Sequence, residues 1–461
     1  MPRVRWQKPA AATAAALAVV TGLAACGGPS GGGNSGTASV SGAPTVSVWS
    51  WRSQDAKLWK TVQADLAEQG TKVNIEFRAI NPTSYDQVLQ TAMNGGKGPD
   101  VFYDRAGYGT QNYAAAGMVK PLNGIVNTSA IPADALKTAS YKGKLYGVPY
   151  AIETMSVFYN KSVLAKNHIS VPTTWTGFLG AMRALKQHGV TPMYVMGVQP
   201  WMLALQIDAV GASTMPGSFT KALTDKSANF TGNPYVKTLT AFQQLSPYLE
   251  SNWQATGSAD NEQETALALG KCGFIIDGIF DLPQIHQVNP SVQLGQFLVP
   301  SPDGQQAKID WYPDGDISLN SHISNKAEAS AAAKVVAFTS SKAFGQAFSG
   351  VAGEISPITG TSIPSKYPLA IQAAQWFRTK PITPIFGIRS PMDSPPPNPT
   401  ALKQNKSPDV TAGIFTSEQN VAVPLLEGKL TPAKAAAQVQ KAEAWYFNGT
   451  APPPPSPSPS H

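Results

Sequence analysis

The sequence predicts an α/β protein of two lobes, and three observations carry that reading. From Val46 onward, short alternating runs are separated by stretches of about a dozen residues at helical spacing, the signature of a sheet whose strands are joined by helices on its faces. After a change of texture near Tyr141, rich in glycine and aromatics, a second set of the same units begins. Together the strands are too many for one ordinary open sheet, and 461 residues leave room for two or three domains.

The elements follow in order. VSVWSW, residues 46–51, alternates as a strand. The stretch from Ser53 to Gly70 then sets Leu58, Trp59, Val62 and Leu66 at helical spacing, with Ser53 as N-cap and Gly70 as stop. VNIEF, residues 73–77, is the second strand. Ser84 and Gln87 form a capping box that starts the next helix at Tyr85, with Val88, Leu89, Ala92 and Met93 on its apolar side. PDVFYD, residues 99–104, supplies a third strand, and strands spaced by helices predict a mostly parallel sheet. In the second set, AIETMSVFYN (151–160) reads as one long strand. TTWTGFLGAMRALKQHG (173–189) reads as a capped helix with Trp175, Phe178, Leu179, Met182 and Leu185 inward. Further units fall at Met193–Met196, Pro200–Gly211, Tyr235–Leu249 and Glu264–Val299, with no repeat at solenoid periods.

The two ends read differently. Arg3, Arg5 and Lys8 precede an apolar stretch, Ala10 to Ala25, too short and alanine-rich to span a bilayer, so residues 1–25 are expected to be a secretory signal peptide. Leu23-Ala24-Ala25-Cys26 resembles the bacterial lipobox. That resemblance implies export, a lipid on the Cys26 thiol, and anchoring to the outer face of the cytoplasmic membrane. Residues 26–43, glycine- and serine-rich, then form a flexible tether, and residues 450–461 form an extended proline-rich tail. A literal G-x-S-x-G at Gly28 to Gly32 lacks the strand and helix that a nucleophile elbow requires. Cys272, the other cysteine, is left without a partner in the chain.

Composition narrows the function. The formal charge of +7 falls to +4 without the leader, no run of five basic residues occurs, and no basic stripe carries interleaved aromatics, so nucleic acid is not an expected partner. No H-E-x-x-H, Walker loop or C-x-x-C is present, and His168, His188, His286, His322 and His461 are scattered, so neither a metal nor a cofactor is expected. Asp310, Asp314 and Asp316 depart from EF-hand spacing and read as a turn between strands.

Seven blocks carry a family resemblance: KVNIEF, YDQVLQTAMNGGKGPDVFYD, AAAGMVKPLN, KLYGVPYAIETMSVFYNKSVL, VPTTWTGF, ETALALGKCGFIIDGIFDLP and LLEGKLTPAKAAAQVQ. In order, they resemble the sugar-type bacterial extracellular solute-binding proteins, which include the maltose-binding proteins. The resemblance implies a periplasmic-binding-protein-like fold with a hinge and an interlobe cleft. It further implies a monomer that hands a carbohydrate to the transmembrane permease subunits of an ABC importer. By the same analogy lobe 1 comprises residues 44–152 and 313–356, and lobe 2 comprises 153–312 and 357–449.

A sugar offers an apolar ring face and a rim of hydroxyls, so its site needs flat aromatics and fixed polar groups. Trp49 and Trp51 stand at the end of the first strand, where open α/β sheets place ligands; Trp51, beside Arg52 and nearer the loop, is the better candidate. Asp104 and Arg105 end the third strand as an acceptor and a planar donor fork, and the resemblance matches them to a sugar-holding pair. It also places Glu153 and the Asp277–Phe280 turn at the ligand, with a hinge ion pair as the competing role for Glu153. The relatives carry a tryptophan just before the Asp-Arg pair, where Tyr103 stands nearest, an aromatic where Met155 stands, and a tryptophan where Phe280 stands. Trp201, Trp311, Asp314, Asp316 and Trp376 complete the candidates. An oligosaccharide is the favoured ligand. Two alternatives stay open at this point: an exported carbohydrate-active hydrolase, since carboxylates and tryptophans fit that too, and a ligand-sensing lipoprotein.

Overall fold

A computed structural model describes residues 40–258, 261–383, 392, 393, 403 and 413–450. The expected signal peptide, Cys26, the tether through residue 39 and residues 451–461 lie outside them. The last residues assigned to the tether are bound to the body: Val40 N–H donates to Asn74 Oδ1 at 2.7 Å, and Asn74 Nδ2 donates back to the Val40 carbonyl at 3.1 Å.

Two sheets organise the described chain, one per lobe. The first runs in the order Asn74–Ala79, Thr45–Ser50, Val101–Arg105, Gly315–Leu319, Gly147–Pro149. Its first three strands are parallel, as their helical connections require, while Gly315–Leu319 is antiparallel to both neighbours. Leu58, Trp59, Val62 and Leu66 are buried on the helix Ala56–Glu68, which a short 3-10 turn at Ser53–Asp55 precedes. The second helix starts at Pro82, three residues before Tyr85. Pro82 has the helical φ built in and no N–H to lose, and Asn81 Oδ1 accepts from Thr83 N–H at 2.9 Å, so this start prevails over the Ser84–Gln87 box.

The second sheet runs in the order Leu294–Phe297, Met155–Asn160, Cys272–Gly278, Thr191–Met193. Here Met155–Asn160 is antiparallel to both neighbours, and Cys272–Gly278 pairs in parallel with Thr191–Met193. The parallel expectation does not extend to this lobe, because the chain enters at Met155 opposite Gly278: one strand leaves the interlobe end as the other arrives. Thr174 does cap the helix Trp175–Gln187, its hydroxyl accepting from Gly177 N–H, and Trp175, Phe178, Met182 and Leu185 are buried.

The single long strand expected at 151–160 is two. Ile152–Glu153 pairs with Tyr312–Pro313, and Ile152 N–H donates to the Ile355 carbonyl at 2.9 Å. At Thr154 the chain breaks step, where the Thr154 hydroxyl and Met155 N–H both donate to Asp310 Oδ1 at 2.7 and 3.0 Å. These paired crossings form the hinge. Residues from Val46 to Ile152 and from Ile317 to Ile358 pack one core; Met155 to Val299, with Tyr312, Met392 and Ile414 to Val439, pack the other. Trp376 belongs to a satellite core with Phe158 and Ile275.

Candidate functional site

A cavity of about 620 Å³ lies between the lobes, within the roughly 300–1,000 Å³ typical of small-ligand sites. Lobe 1 supplies the residues at and just beyond the carboxyl ends of its three parallel strands: Trp51 and Arg52, then Ala79 to Thr83, then Arg105 and Tyr108. Lobe 2 supplies Phe280 and Asp281 beyond Cys272–Gly278, Gln199 to Trp201 at the start of the helix Pro200–Thr214, and Phe415, Thr416 and Gln419 at the start of Ile414–Leu426. A Cβ on Gly278 would sit 2.0 Å from the Phe280 ring, so glycine is what lets that ring fold back over its own strand end.

Trp51, on the cavity wall, is held in place by aromatic and cationic neighbours. Tyr85 and Tyr103 meet it edge-on at centroid distances of 5.3 and 5.9 Å, and the Arg105 guanidinium carbon stands 3.8 Å from its ring centroid. Arg52 is almost wholly buried. Its Nε meets Asp55 at 3.0 Å, one terminal nitrogen meets Asp314 at 3.3 Å and the other meets Glu354 at 2.5 Å. Burial works against the charge on Arg52, yet Asp55, Glu354, Tyr150 and Asp314 outweigh it and hold the guanidinium well above its ordinary range. Behind that group, burial first and then the Glu354 carboxyl push Glu153 well above the usual carboxylate range, and burial carries Glu354 up to about 7.

Residues 50–344 match the family described as bacterial extracellular solute-binding protein. The chain belongs to that family. Among relatives, the diacetylchitobiose binding protein DasA of Streptomyces coelicolor is 28% identical over 299 residues, 62% of this chain and 67% of that one. The multiple sugar-binding protein of Streptococcus mutans is 22% identical over 258 residues, 54% of this chain and 60% of the relative's length. Among solved structures, one from work on xylan utilization by Caldanaerobius polysaccharolyticus superposes with a TM-score of 0.71 at 19% identity, covering 86% of this chain and 99% of that one. A chitin oligosaccharide binding protein gives 0.70 at 21%, covering 88% and 100%. These likenesses establish the two-lobed α/β fold of a solute-binding protein.

Of the candidates read from sequence, this solute-binding protein brings Trp51, Arg52, Arg105, Trp201, Phe280 and Asp314 to one cavity. Asp104, Glu153, Asp277, Trp311 and Asp316 are not on its wall. Asp104 and Asp316 occupy adjacent central strands, where Thr110 Oγ1 lies 2.8 Å from one and 2.6 Å from the other and the Ser318 hydroxyl donates to Asp104 at 2.8 Å. Strand alternation is the reason: it turns Arg105 to the cavity and its neighbour Asp104 into the sheet. Glu153 is buried in the hinge beside Glu354, and Asp277 accepts from Gln263 Nε2 at 3.1 Å and Gly278 N–H at 2.7 Å. Trp311 packs on the lobe 1 core.

Sequence reasoning missed Asp281, Asp393, Phe415 and Gln419 on the cavity wall. Asp281 follows Phe280 directly, and Phe415 with Gln419 stand four apart in the first turns of a helix, so both carried a local signal. Asp393 carried none. It reaches the site because its segment packs on that helix, where Phe415 N–H donates to Asp393 Oδ1 at 3.3 Å. Chemically, the wall offers ring faces from Trp201, Phe280 and Phe415 with amide and carboxylate groups between them, a surface that can grip a polyhydroxylated ring.

Proposed function

We propose that this protein is the ligand-capturing component of an ABC importer, and that it closes its two lobes on a carbohydrate, in the first instance an oligosaccharide. The interlobe cavity with aromatic faces and hydrogen-bonding groups on both walls is the observation that carries this reading. The names of the relatives support it: a diacetylchitobiose binding protein and a multiple sugar-binding protein. Trp201 and Phe280 offer ring faces, and Arg105 and Asp314 serve the hydroxyl rim, with buried Arg52 holding Asp314 in place. Closure removes water from these contacts and strengthens each polar one, so ligand shifts the population toward the closed form that the permease subunits would read. The bond chemistry of the ligand is left intact.

In the same reading the mature protein begins at a lipidated Cys26, works as a monomer, and is tethered to the outer face of the cytoplasmic membrane. Among the described residues no helix is long and apolar enough to cross a membrane. A Cys26→Ser variant is expected in the soluble fraction of its host where wild type pellets with membranes; equal partitioning refutes the anchor.

A carbohydrate panel tests the capture itself. A ligand at a hundredfold its dissociation constant stabilises the folded protein by about 2.7 kcal/mol, readily seen as a rise in melting temperature. A shift with intact glycan recovered afterwards supports capture. Glycan turnover supports a hydrolase instead, and no response to any saccharide overturns the carbohydrate assignment.

A further inference from the structure

The loop that brings Trp201 to the cavity is zipped to a second loop of the same lobe. Gly197 N–H donates to the Trp253 carbonyl at 3.1 Å, and Val198 N–H donates to the Thr256 carbonyl at 3.2 Å. Gln199 continues the series with its side chain. Its Nε2 donates to the Gly257 carbonyl at 2.8 Å, and its Oε1 accepts from the indole N–H of Trp201 at 3.1 Å. These two partners fix which way the amide lies, since an indole N–H can only donate and a carbonyl can only accept.

The receiving loop is shaped for this approach. Gly257 has a φ of +97°, and a Cβ there would lie 3.0 Å from the Met196 Cβ and 3.3 Å from the Gln199 Cγ. Its N–H is held in turn by the Glu262 carboxylate, at the start of the helix Glu262–Ala268. Gln199 also stands at the N-cap of the helix Pro200–Thr214, where a polar side chain commonly bonds back to the first turn, yet it makes no such bond. The amide serves the indole instead.

Both Gln199 and Trp201 line the cavity, but Gln199 is almost wholly buried there. An indole carries one polar group, its N–H. With that group tied to Gln199, what Trp201 has left for a ligand is ring surface, and a ring already held in place loses little freedom when the ligand arrives.

Resting on the carbohydrate reading above, we propose that Gln199 is a positioning residue: pinned to Gly257, it ties off the Trp201 indole N–H and holds the ring ready to meet the sugar with its apolar surface. Gln199 then acts on affinity through Trp201 and not through a bond of its own to the ligand.

Two measurements on the full chain test this. With isotope-labelled tryptophan, and the Trp201 signal identified by its loss in Trp201→Phe, the indole hydrogen of ligand-free wild type should exchange with solvent at least about tenfold more slowly than that of free tryptophan. Gln199→Met, close in length but without an amide, should remove most of that protection, with Gln199→Ala as the second variant should the first fold poorly. Calorimetric titration with a panel of N,N′-diacetylchitobiose, maltotriose, xylotriose and raffinose reads affinity. For each sugar that binds, Gln199→Met should weaken binding about fivefold in the wild-type background and leave it unchanged in the Trp201→Ala background, where no ring remains to be positioned. The same loss in both backgrounds makes Gln199 a direct ligand contact and overturns the proposal. Rapid exchange of the wild-type indole hydrogen, or protection that survives Gln199→Met, overturns it as well. If no saccharide binds, the carbohydrate reading falls, and the exchange measurement, made without ligand, still decides whether Gln199 holds Trp201.

Discussion

The hinge carboxyls give a stability prediction that can be worked from the geometry. Arg52 is one cation among Asp55, Asp314 and Glu354, and Glu153 stands beside Glu354, all of them in contact across the crossing strands. Burial, opposed by Arg52, carries Glu354 from 4.5 to about 7. A raised carboxyl binds its proton more tightly folded than unfolded, so its contribution is whole below about pH 4.5 and is lost as pH climbs through about 7. The loss is about 3 kcal/mol, since each pH unit of displacement is worth roughly 1.4 kcal/mol. Glu354→Gln keeps an oxygen to accept from Arg52 but has nothing to titrate. Urea unfolding of both proteins between pH 4.5 and 8.5 reports the hinge pair: carboxyls away from Glu354 titrate alike in both and cancel, while Glu153, relieved of the Glu354 carboxyl, loses less stability as pH rises and adds to the difference with the same sign. Whatever the offset at low pH, the variant should gain at least about 3 kcal/mol on wild type by pH 8. Parallel stability curves across that range would refute the reasoning.

Three other outcomes are expected. Trp201→Ala removes a ring face from the lobe 2 wall; at about 25 cal/mol per Å² and roughly 80 Å² of lost contact the cost is about 2 kcal/mol, a Kd some thirtyfold weaker by calorimetry. An unchanged Kd for a panel-identified sugar would remove Trp201 from the site. Gly315→Ala would put a Cβ 2.5 Å from the Asp104 carbonyl oxygen and 2.9 Å from Trp51, so unfolding stability should fall by about 1–3 kcal/mol. Wild-type stability in that variant would mean the strand has room to yield. Cys272 is wholly buried, and burial, with Glu250 nearby, pushes its thiol above the ordinary range, so it should resist a water-soluble thiol reagent in the native protein and react on unfolding. Rapid native labelling would contradict its place in the core.

The sequence by itself determined a good deal. Period-2 and helical spacing placed Val46–Trp51, the helix carrying Leu58 to Leu66, and the capped helix at Thr174, because those signals are local and the face they bury is the same in any α/β lobe. Trp51, Arg52, Arg105 and Phe280 were legible because strand ends in such sheets open onto the cleft. Tertiary structure alone decided the rest. Whether Asp104 or Arg105 faces the cavity depends on the pairing with Gly315–Leu319, a strand some two hundred residues away that presses Asp104 against Asp316. Glu153 sits in an unbroken alternating run, and only the crossing with Tyr312–Pro313 and the approach of Glu354 make it a hinge acid. Asp393 enters the site through packing on a helix that follows it in the chain. Local patterns encode which face of an element is apolar; which polar residues of distant segments meet is set by how those faces close on one another, and that is where the charge of this cavity is fixed.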